Sequence, residues 1–342
     1  LCIAVACGDG FARRHHQQGA QALAPIEHGI AHRLPETSRG IPPHPALQRL
    51  LHLREVRAAP DLQGVLIHAV HGRGYRLASP MSWFDFERLR ESMAAWGMAF
   101  RGFEHLASTN THLLDWALSG APHRAVVTTE WQSEGRGRRG RTWHASLGSG
   151  LMFSLLWRSG RPAAELSGLS LAVGVVLVRT LRAMGLERAM VKWPNDIQVD
   201  GAKLAGVLIE LAGDMLGPST AIIGVGVNVQ GGNGLSDVTG QPVTDLQRYL
   251  GPVERNNLLI ELVAAMDAGL ALFEERGFSC FREEWQAYHA HQNMNVLIHS
   301  GHGEPIHGRA RGVDEQGALL LDTAMGLQRF HSGEVSLRAV EA

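Results

Sequence analysis

The 342-residue chain is long enough for two or three domains, and its composition is that of a globular protein. Apolar residues at 45% and charged residues at 19% exclude extensive disorder, and a net charge of −1 excludes a global attraction to nucleic acid or anionic lipid. Three scattered cysteines exclude a disulfide framework and a four-ligand zinc site. Their scatter favours a reducing, cytoplasmic location. Since no uninterrupted apolar run reaches ~18 residues, we expect no membrane span.

The first sixty residues are unlike the rest of the chain, because they hold six prolines. Prolines remove helix donors and push the preceding residue towards extended geometry, so we predict no long helix between residues 33 and 46. A short helix is expected from Ala46 to Arg57. The sequence GVLIHAVHGRGYRLA, residues 64–78, then predicts a β-hairpin with a tight turn at residues 72–74 and a basic tip.

The middle of the chain has a regular pattern of helices and strands. Ser108 or Thr109 is expected to cap a short helix, because a hydroxyl oxygen can accept from the free amides of the first turn. Residues 124–132 and 149–158 are predicted strands that flank a loop of glycines and arginines. Apolar residues then recur at helical spacing up to Gly185, which is expected to end that helix.

A hairpin is predicted next. Residues 190–199 and 204–211 are apolar runs typical of strands, and Asp200-Gly201 between them tolerates the positive φ angles of a tight turn. Lys203 therefore lies just after the turn.

The remaining residues complete an α+β fold. STAIIGVGVNV predicts a strand, and an amphipathic helix is expected to end near Gly277. Short strands between glycine-rich turns fill the last fifty residues and predict a small β-barrel. The overall prediction is a central mixed or antiparallel sheet with covering helices, followed by that barrel.

The first motif with chemical potential is GRGRRGRTW, residues 135–143, where glycines alternate with arginines between two strands. Backbone amides and guanidinium groups in such a loop can bind phosphate or carboxylate oxygens. A solvated basic loop or a nonspecific nucleic-acid patch has the same composition, so both interpretations stay open on this stretch alone.

The second motif is KWPNDIQVDGAKLAGVLIE, residues 192–210, which crowds lysines and an Asn-Asp pair beside apolar strands. Buried polar groups are costly unless they meet a ligand, a metal or one another, which favours a functional site. A plain turn at Pro194-Asn195-Asp196 with lysines reaching to solvent from a sheet edge is the alternative.

Five motifs occur in order along the chain: STN at 108–110, EWQSEGRGRRGRTW at 130–143, KWPND at 192–196, GAKLAGVLIE at 201–210 and GVGVN at 224–228. Together they resemble the biotin–protein ligase family, in particular the bacterial type that also represses the biotin operon. The resemblance covers roughly residues 65–342. It implies a winged-helix-like remnant in residues 1–82, a class II synthetase-like α+β domain for biotin and ATP in residues 100–290, and an SH3-like β-barrel in residues 291–342.

The resemblance also implies site residues. The residues implied to bind biotin are Ser108, Thr109, Asn110, Gln132, Arg136, Gly137, Arg138 and Lys203. Those implied to lie on the nucleotide side are Trp143, Lys192, Asn195 and Asn228. Lys203, Arg136, Arg138 and Asp196 are implied to be catalytic, while metal ligands stay unassigned. For Asp196, steering or deprotonating the acceptor amine and a role in a turn or at Mg²⁺ are equally open.

The implied reaction joins biotin to ATP, with Mg²⁺ offsetting the leaving charge, and then transfers biotin from biotinyl-adenylate to a lysine of the biotin carboxyl carrier protein. The glycines of the 135–143 loop make closure over the ligand sterically easy. A homodimer paired through the central sheets is expected of the repressor type.

Operator DNA is an implied partner that the sequence supports only in part. VHGRGYRLASP at 70–80 resembles the wing and exit strand of a winged helix-turn-helix, where Arg73 and Arg76 could touch phosphates. The prolines of residues 33–46 oppose a recognition helix. Two alternatives therefore stay open beside the ligase: a nonenzymatic DNA-binding regulator, and a lipoate-type ligase of related fold.

Overall fold

The structure is a computed structural model, and it describes residues 67–70, 74–77, 82–213, 217–300, 304–332 and 335–339. The predicted helix at 46–57, the proline-rich segment at 33–46 and most of the turn at 72–74 lie outside these residues. The chain divides into two compact units, Leu1–Met81 and Ser82–Ala342.

In the first unit, the described residues form the predicted hairpin. Strands β1 (Ile67–Val70) and β2 (Gly74–Leu77) pair antiparallel, with His68 opposite Arg76. The hairpin is confirmed.

The second unit is built on a seven-stranded mixed sheet in the order β3-β4-β5-β9-β8-β7-β6. β3 and β4 are parallel and every other neighbouring pair is antiparallel. The strands are β3 (Phe100–Leu106), β4 (Val126–Gln132), β5 (Gly150–Ser159), β6 (Met190–Lys192), β7 (Asp196–Val199), β8 (Ala202–Gly213) and β9 (Ser219–Asn228).

Seven α-helices are described in this unit, and the longest two cover one face of the sheet. They are α1 (Phe86–Ala95), α2 (Thr109–Leu118), α3 (Leu169–Ala183), α4 (Leu235–Thr239), α5 (Gln247–Leu250), α6 (Arg255–Arg276) and α7 (Arg282–Tyr288). Alternate residues of each strand face opposite sides, so Leu155 joins the large core under α3 and α6 while Leu156 joins a smaller core under α2. Ala163–Ala183 and α6 are long and apolar enough to cross a membrane, but both bury their apolar residues in this core.

Local chemistry explains where the elements begin and end. Asp200 and Gly201 both have positive φ, 52° and 80°, and join β7 to β8 in the predicted turn. The expected single strand at 190–199 is wrong: Pro194-Asn195 turns the chain there, and β6 and β7 form a hairpin of their own.

The start of α2 also corrects the prediction. Ser108 is the N-cap residue, but its hydroxyl makes no capping hydrogen bond. Instead the amide carbonyl of Gln132, at the end of β4, accepts from the Thr109 backbone N–H at 2.7 Å. A side chain 23 residues away in sequence therefore accepts the first-turn hydrogen bond that we expected the N-cap hydroxyl to accept.

A five-stranded antiparallel sheet in the order β13-β12-β11-β10-β14 forms the C-terminal part. Its strands are β10 (Asn295–Ser300), β11 (Ile306–Val313), β12 (Leu319–Thr323), β13 (Gly326–Phe330) and β14 (Val335–Ala339). The short strands predicted for the small β-barrel of the last fifty residues are confirmed, and they form one antiparallel sheet.

A buried ion pair fixes the sheet to the start of the unit. Glu130 on β4 and Arg255 at the start of α6 are 0% and 1% exposed, and their side chains lie 2.5 Å apart. Glu130 Oε1 accepts from the Phe84 backbone N–H at 2.6 Å, while Arg255 donates to the carbonyl oxygens of Ser82 and Gly150 at 2.8 and 2.9 Å. Every charged oxygen and most guanidinium hydrogens are thereby paired, as a buried ion pair requires.

Candidate active site

A cavity of about 1040 Å³ opens on the side of the central sheet where α2 and the glycine–arginine loop lie. All thirteen predicted site residues line it: Ser108, Thr109, Asn110, Gln132, Arg136, Gly137, Arg138, Trp143, Lys192, Asn195, Asp196, Lys203 and Asn228. Six lysines and arginines line the cavity, and among its described lining residues Asp196 is the one carboxylate. The cavity wall is therefore strongly cationic, which suits an anionic ligand.

One corner of the cavity is a closed network of uncharged polar groups. Gln132 Oε1 accepts from both the backbone N–H and the hydroxyl of Thr109, at 2.7 and 3.2 Å. Ser154 Oγ on β5 lies 2.8 Å from Thr109 Oγ1 and 2.6 Å from Asn110 Oδ1. Ser108, Thr109 and Asn110 are all buried. Fixed neutral donors and acceptors of this kind can orient an uncharged polar group of a ligand.

A carboxylate behind this corner holds the first arginine of the loop. Glu210 on β8 contacts Arg136 at 2.8 and 3.2 Å and accepts from Asn110 Nδ2 at 2.9 Å. Glu210 therefore joins the polar corner to the loop.

The loop of residues 135–143 is folded as a short hairpin. Trp143 N–H donates to the carbonyl of Gly135 at 2.8 Å, and Gly137 N–H donates to the carbonyl of Arg141 at 2.7 Å. Arg139 at the tip has a φ of 60°. In this conformation the second arginine of the motif, Arg138, points to the hairpin of β6 and β7.

Arg138 meets that hairpin through an amide. Its Nη1 donates to Asn195 Oδ1 at 3.3 Å, and Asn195 Nδ2 donates to the carbonyl of Val207 at 2.7 Å. Burial lowers the pKa of the Arg138 guanidinium, and the nearby carboxylate of Asp196 opposes that shift. Arginine stays charged through such shifts, so a half-buried cation lines the cavity.

Lys203 and Asp196 form a partly buried ion pair across the β7–β8 turn. Lys203 Nζ lies 2.7 Å from Asp196 Oδ1, and the two side chains are 21% and 18% exposed. Lys203 Nζ is also 5.6 Å from the centre of the Trp143 ring. Asp196 thus orients the lysine in the cavity.

Trp143 lies against the central strand β9. A Cβ on Gly226 would come within 2.4 Å of the indole Cε2, so only glycine leaves room for the ring. The indole Nε1 is buried without a hydrogen-bond partner among the described residues. The ring therefore offers the cavity an aromatic face.

A segment after β9 covers the turn side of the cavity. Lys203 N–H donates to the carbonyl of Pro242 and Thr244 N–H donates to the carbonyl of Lys203, both at 2.9 Å. Asn228 Nδ2 donates to the same Lys203 carbonyl at 3.4 Å. The main chain of Lys203 is thereby tied to residues 242–244.

Comparison with known proteins identifies the family to which the chain belongs. A model described as the biotin/lipoate A/B protein ligase family matches residues 102–228, and one described as the biotin protein ligase C terminal domain matches residues 293–338. The bifunctional ligase/repressor BirA of Salmonella typhimurium is 35% identical over 278 residues, which are 81% of this chain and 86% of that protein. The chain belongs to the biotin protein ligase family. The predicted resemblance, and with it the prediction of a ligase, is confirmed.

A second relative and a solved structure are also similar to the chain. The biotin--[acetyl-CoA-carboxylase] ligase of Paracoccus denitrificans is 32% identical over 238 residues, 67% of this chain and 96% of that protein. The solved biotin protein ligase of Aquifex aeolicus in complex with biotin and ATP has a TM-score of 0.61 and 26% identity, and the match covers 71% of this chain and 99% of that one. The predicted fold class is confirmed.

Three residues of the ligase cavity and its surroundings were missed by sequence reasoning. Ser154 looks like an isolated polar residue in an apolar strand, and Glu210 ends a motif in which the lysines and the Asn-Asp pair drew attention. His291 lines the cavity from the far end of the chain, in a segment without a motif. Of the three, only Glu210 could have been found from the sequence, because it is a charged residue within an apolar run.

Proposed function

We propose that the ligase joins biotin to ATP, giving biotinyl-adenylate and pyrophosphate, and then transfers biotin to a lysine of the biotin carboxyl carrier protein. The observation that carries this proposal is the cavity itself, with one uncharged polar corner and six cationic side chains against one carboxylate. Biotin has a neutral ureido ring and an anionic carboxylate, and ATP is a polyanion, so the two kinds of wall match the two substrates.

Biotin is assigned to the corner formed by α2 and the end of β4. Its ureido group meets Ser108, Thr109, Asn110 and Gln132, and the last three are already joined by hydrogen bonds to one another and to Ser154. Preformed donors and acceptors keep the ordering cost of binding low. The biotin carboxylate then extends towards Lys203, between that network and the loop.

In the first step, a carboxylate oxygen of biotin attacks the α-phosphorus of ATP, and the bond from that phosphorus to the bridging oxygen breaks. Two anions must meet, so positioning and charge neutralisation are the main needs of the step. Lys203 supplies a cation held in place by Asp196 at 2.7 Å. Arg136, Gly137 and Arg138 close over the mixed anhydride, with the guanidinium groups and the loop amide facing its oxygens.

The adenosine is assigned to the other side of the loop. Trp143 presents an indole face for the base, fixed by its contact with β9 at Gly226. Lys192, Asn195 and Asn228 border the same part of the cavity. Asn195 also orients Arg138, at 3.3 Å, so nucleotide contacts and loop position are linked.

In the second step, the ε-amine of the carrier lysine attacks the acyl carbon, the bond to the phosphate oxygen breaks and AMP leaves with that electron pair. Asp196 is assigned to steer the incoming amine, because its carboxylate already accepts a hydrogen bond from the ammonium group of Lys203. The proton lost by the amine passes to solvent.

Magnesium is assigned to the nucleotide. Within the described residues no group of three or more His, Cys, Asp or Glu side chains is placed to hold a metal ion, and Asp196 is already paired with Lys203. Mg²⁺ usually keeps several waters and binds phosphates with one or two carboxylates, which fits an ion that enters with ATP. It offsets phosphate charge there.

The partners and the three-domain division belong to the same proposal. Operator DNA is included because the Salmonella relative is named a ligase/repressor and matches 81% of this chain. A homodimer through the central sheets is supported by β3, which pairs on one side only among the described strands. The division at residues 82, 100 and 291 and the cytoplasmic location follow the family pattern.

The deciding experiment incubates the chain with biotin, labelled ATP-Mg²⁺ and a biotin carboxyl carrier domain. We expect biotinyl-adenylate and a biotinylated carrier, and lipoate in place of biotin should give neither. Lys203→Ala should abolish adenylate formation while leaving the fold intact, whereas Arg311→Ala on the C-terminal sheet should behave as wild type. The proposal fails if the wild-type chain makes no adenylate, and the role of Lys203 fails if its variant exchanges pyrophosphate normally. Salt-steep DNA binding without ATP-dependent labelling would favour the regulator instead.

A further inference from the structure

Two histidines after α7 are buried in an unusual state. His289 and His291 are 2% and 6% exposed. Burial, reinforced by His291, lowers the pKa of His289 to about 3, and burial with the charge of Lys192 lowers the pKa of His291 to about 4. Nε2 of His289 and Nδ1 of His291 have no hydrogen-bond partner among the described residues. A buried nitrogen without a hydrogen-bond partner lowers the stability of the fold, so the presence of two such histidines suggests a function.

The two histidines have different surroundings. His289 stacks on Trp285 with ring centroids 4.4 Å apart, and its Nδ1 lies 3.4 Å from Gln292 Oε1. His289 is not among the described residues that line the cavity. His291 does line the cavity, with its ring edge-on to His289 at 5.9 Å between centroids. His289 therefore supports His291, and His291 is the member that a ligand can reach.

The backbone fixes His291 beside the nucleotide side of the cavity. The segment after α7 runs parallel to β6, with His289 paired to Val191, and Ala290 N–H donates to the carbonyl of Val191 at 2.9 Å. Lys192 follows directly and lines the same cavity. An ammonium group and a neutral imidazole thus occupy one end of the site.

The chemistry of this pair favours a phosphate group. A neutral imidazole can donate one N–H hydrogen bond, and the adjacent lysine supplies the charge. Binding of an anion also offsets the charge of Lys192, which opposes protonation of the His291 imidazole. A transition metal is a poorer fit, because no third His, Cys, Asp or Glu of the described residues completes a cluster.

We propose that His291, acting with Lys192, binds the β- and γ-phosphates of the nucleotide, the group that leaves as pyrophosphate. This inference rests on the proposed function. It adds a residue from the C-terminal part of the chain to a site otherwise built by α2, the loop and the β6–β8 strands, so the junction before β10 completes the nucleotide site.

The test separates the two half-reactions. Pyrophosphate is a substrate of the reverse of adenylation and takes no part in transfer from preformed biotinyl-adenylate to the carrier. We expect His291→Phe to raise the KM for inorganic pyrophosphate, and that for ATP, by roughly 10- to 100-fold, the value of one hydrogen bond to a charged group. Transfer from preformed adenylate should stay at the wild-type rate, which also reports that the variant is folded.

Two further variants sharpen the result. His291→Gln keeps an amide donor and should recover part of the pyrophosphate affinity, while His307→Gln, an exposed histidine of β11, should match wild type. An unchanged KM for pyrophosphate in His291→Phe overturns the inference, and so does an equal loss of both half-reactions, which indicates a structural role. A wild-type chain that makes no adenylate overturns the proposed function instead.

A measurement on the wild-type chain keeps the inference testable if His291→Phe does not fold. Inorganic pyrophosphate added to protein carrying ¹⁵N-labelled histidine should shift the ring resonances of His291, identified from their absence in His291→Gln. Resonances that stay in place at saturating pyrophosphate overturn the inference.

Discussion

Gly226 offers the sharpest test of how the site is built, because its missing side chain leaves room for Trp143. A Cβ there would lie 2.4 Å from the indole Cε2 and 2.6 Å from Cζ2. Carbon atoms pack at about 3.5–4.0 Å, so Gly226→Ala must push the ring outward by roughly 1–1.5 Å. Trp143 closes the loop hairpin and forms the adenine surface of the proposed site. A displacement of about 1 Å in a positioned group can cost on the order of 100-fold in rate.

The assay is pyrophosphate exchange in the presence of biotin, together with the melting temperature. We expect exchange in Gly226→Ala to fall by about 100-fold with little loss of stability, because the loop can move outward and relieve the contact. Gly160→Ala is the matched control, since its Cβ would meet Glu274 Oε1 at an ordinary 3.5 Å. Wild-type exchange in Gly226→Ala would refute the position assigned to Trp143.

Three more predictions concern charge. Arg138→Gly removes a half-buried guanidinium from the loop and should speed release of labelled biotinyl-adenylate by roughly 10- to 100-fold; unchanged release contradicts its role. Arg255→Ala leaves the buried carboxylate of Glu130 without its partner and should lower the free energy of unfolding in urea by about 3–5 kcal/mol, and a change below about 1 kcal/mol would contradict the buried pair. The lowered pKa values of His289 and His291, about 3 and 4, mean that the unfolded chain binds protons that the folded chain does not. Stability should therefore fall as the pH falls from about 6.5 towards 4, by a few kcal/mol in urea titrations, and a flat profile there refutes the buried neutral state.

The sequence predicts this site well where the residues are close together in the chain. The loop at 135–143 and the turn at Asp200-Gly201 are encoded by glycines and by a dipeptide with a known turn preference. The loop holds four of the thirteen predicted site residues, and Lys203 lies two residues after the turn. The resemblance to a family then assigns roles that composition cannot.

What the sequence could not predict depends on pairing between distant strands. Gln132 caps α2 only because β4 ends beside it, and nothing local marks an amide as a helix cap. Ser154 and Glu210 come to Asn110 through the order of β5, β9 and β8 in the sheet. His291 reaches the cavity because the segment after α7 runs beside β6, a pairing across about a hundred residues.

The network around Glu130 and Arg255 decides where a minimal catalytic fragment of this enzyme can begin. A shortened chain that starts at residue 100 would lack α1 and the segment before it, although Phe84, Leu89 and Met93 are part of the main core. It would also lack the Phe84 backbone N–H that donates to Glu130. Expression of the ligase part alone should therefore start no later than Ser82, where its compact unit begins.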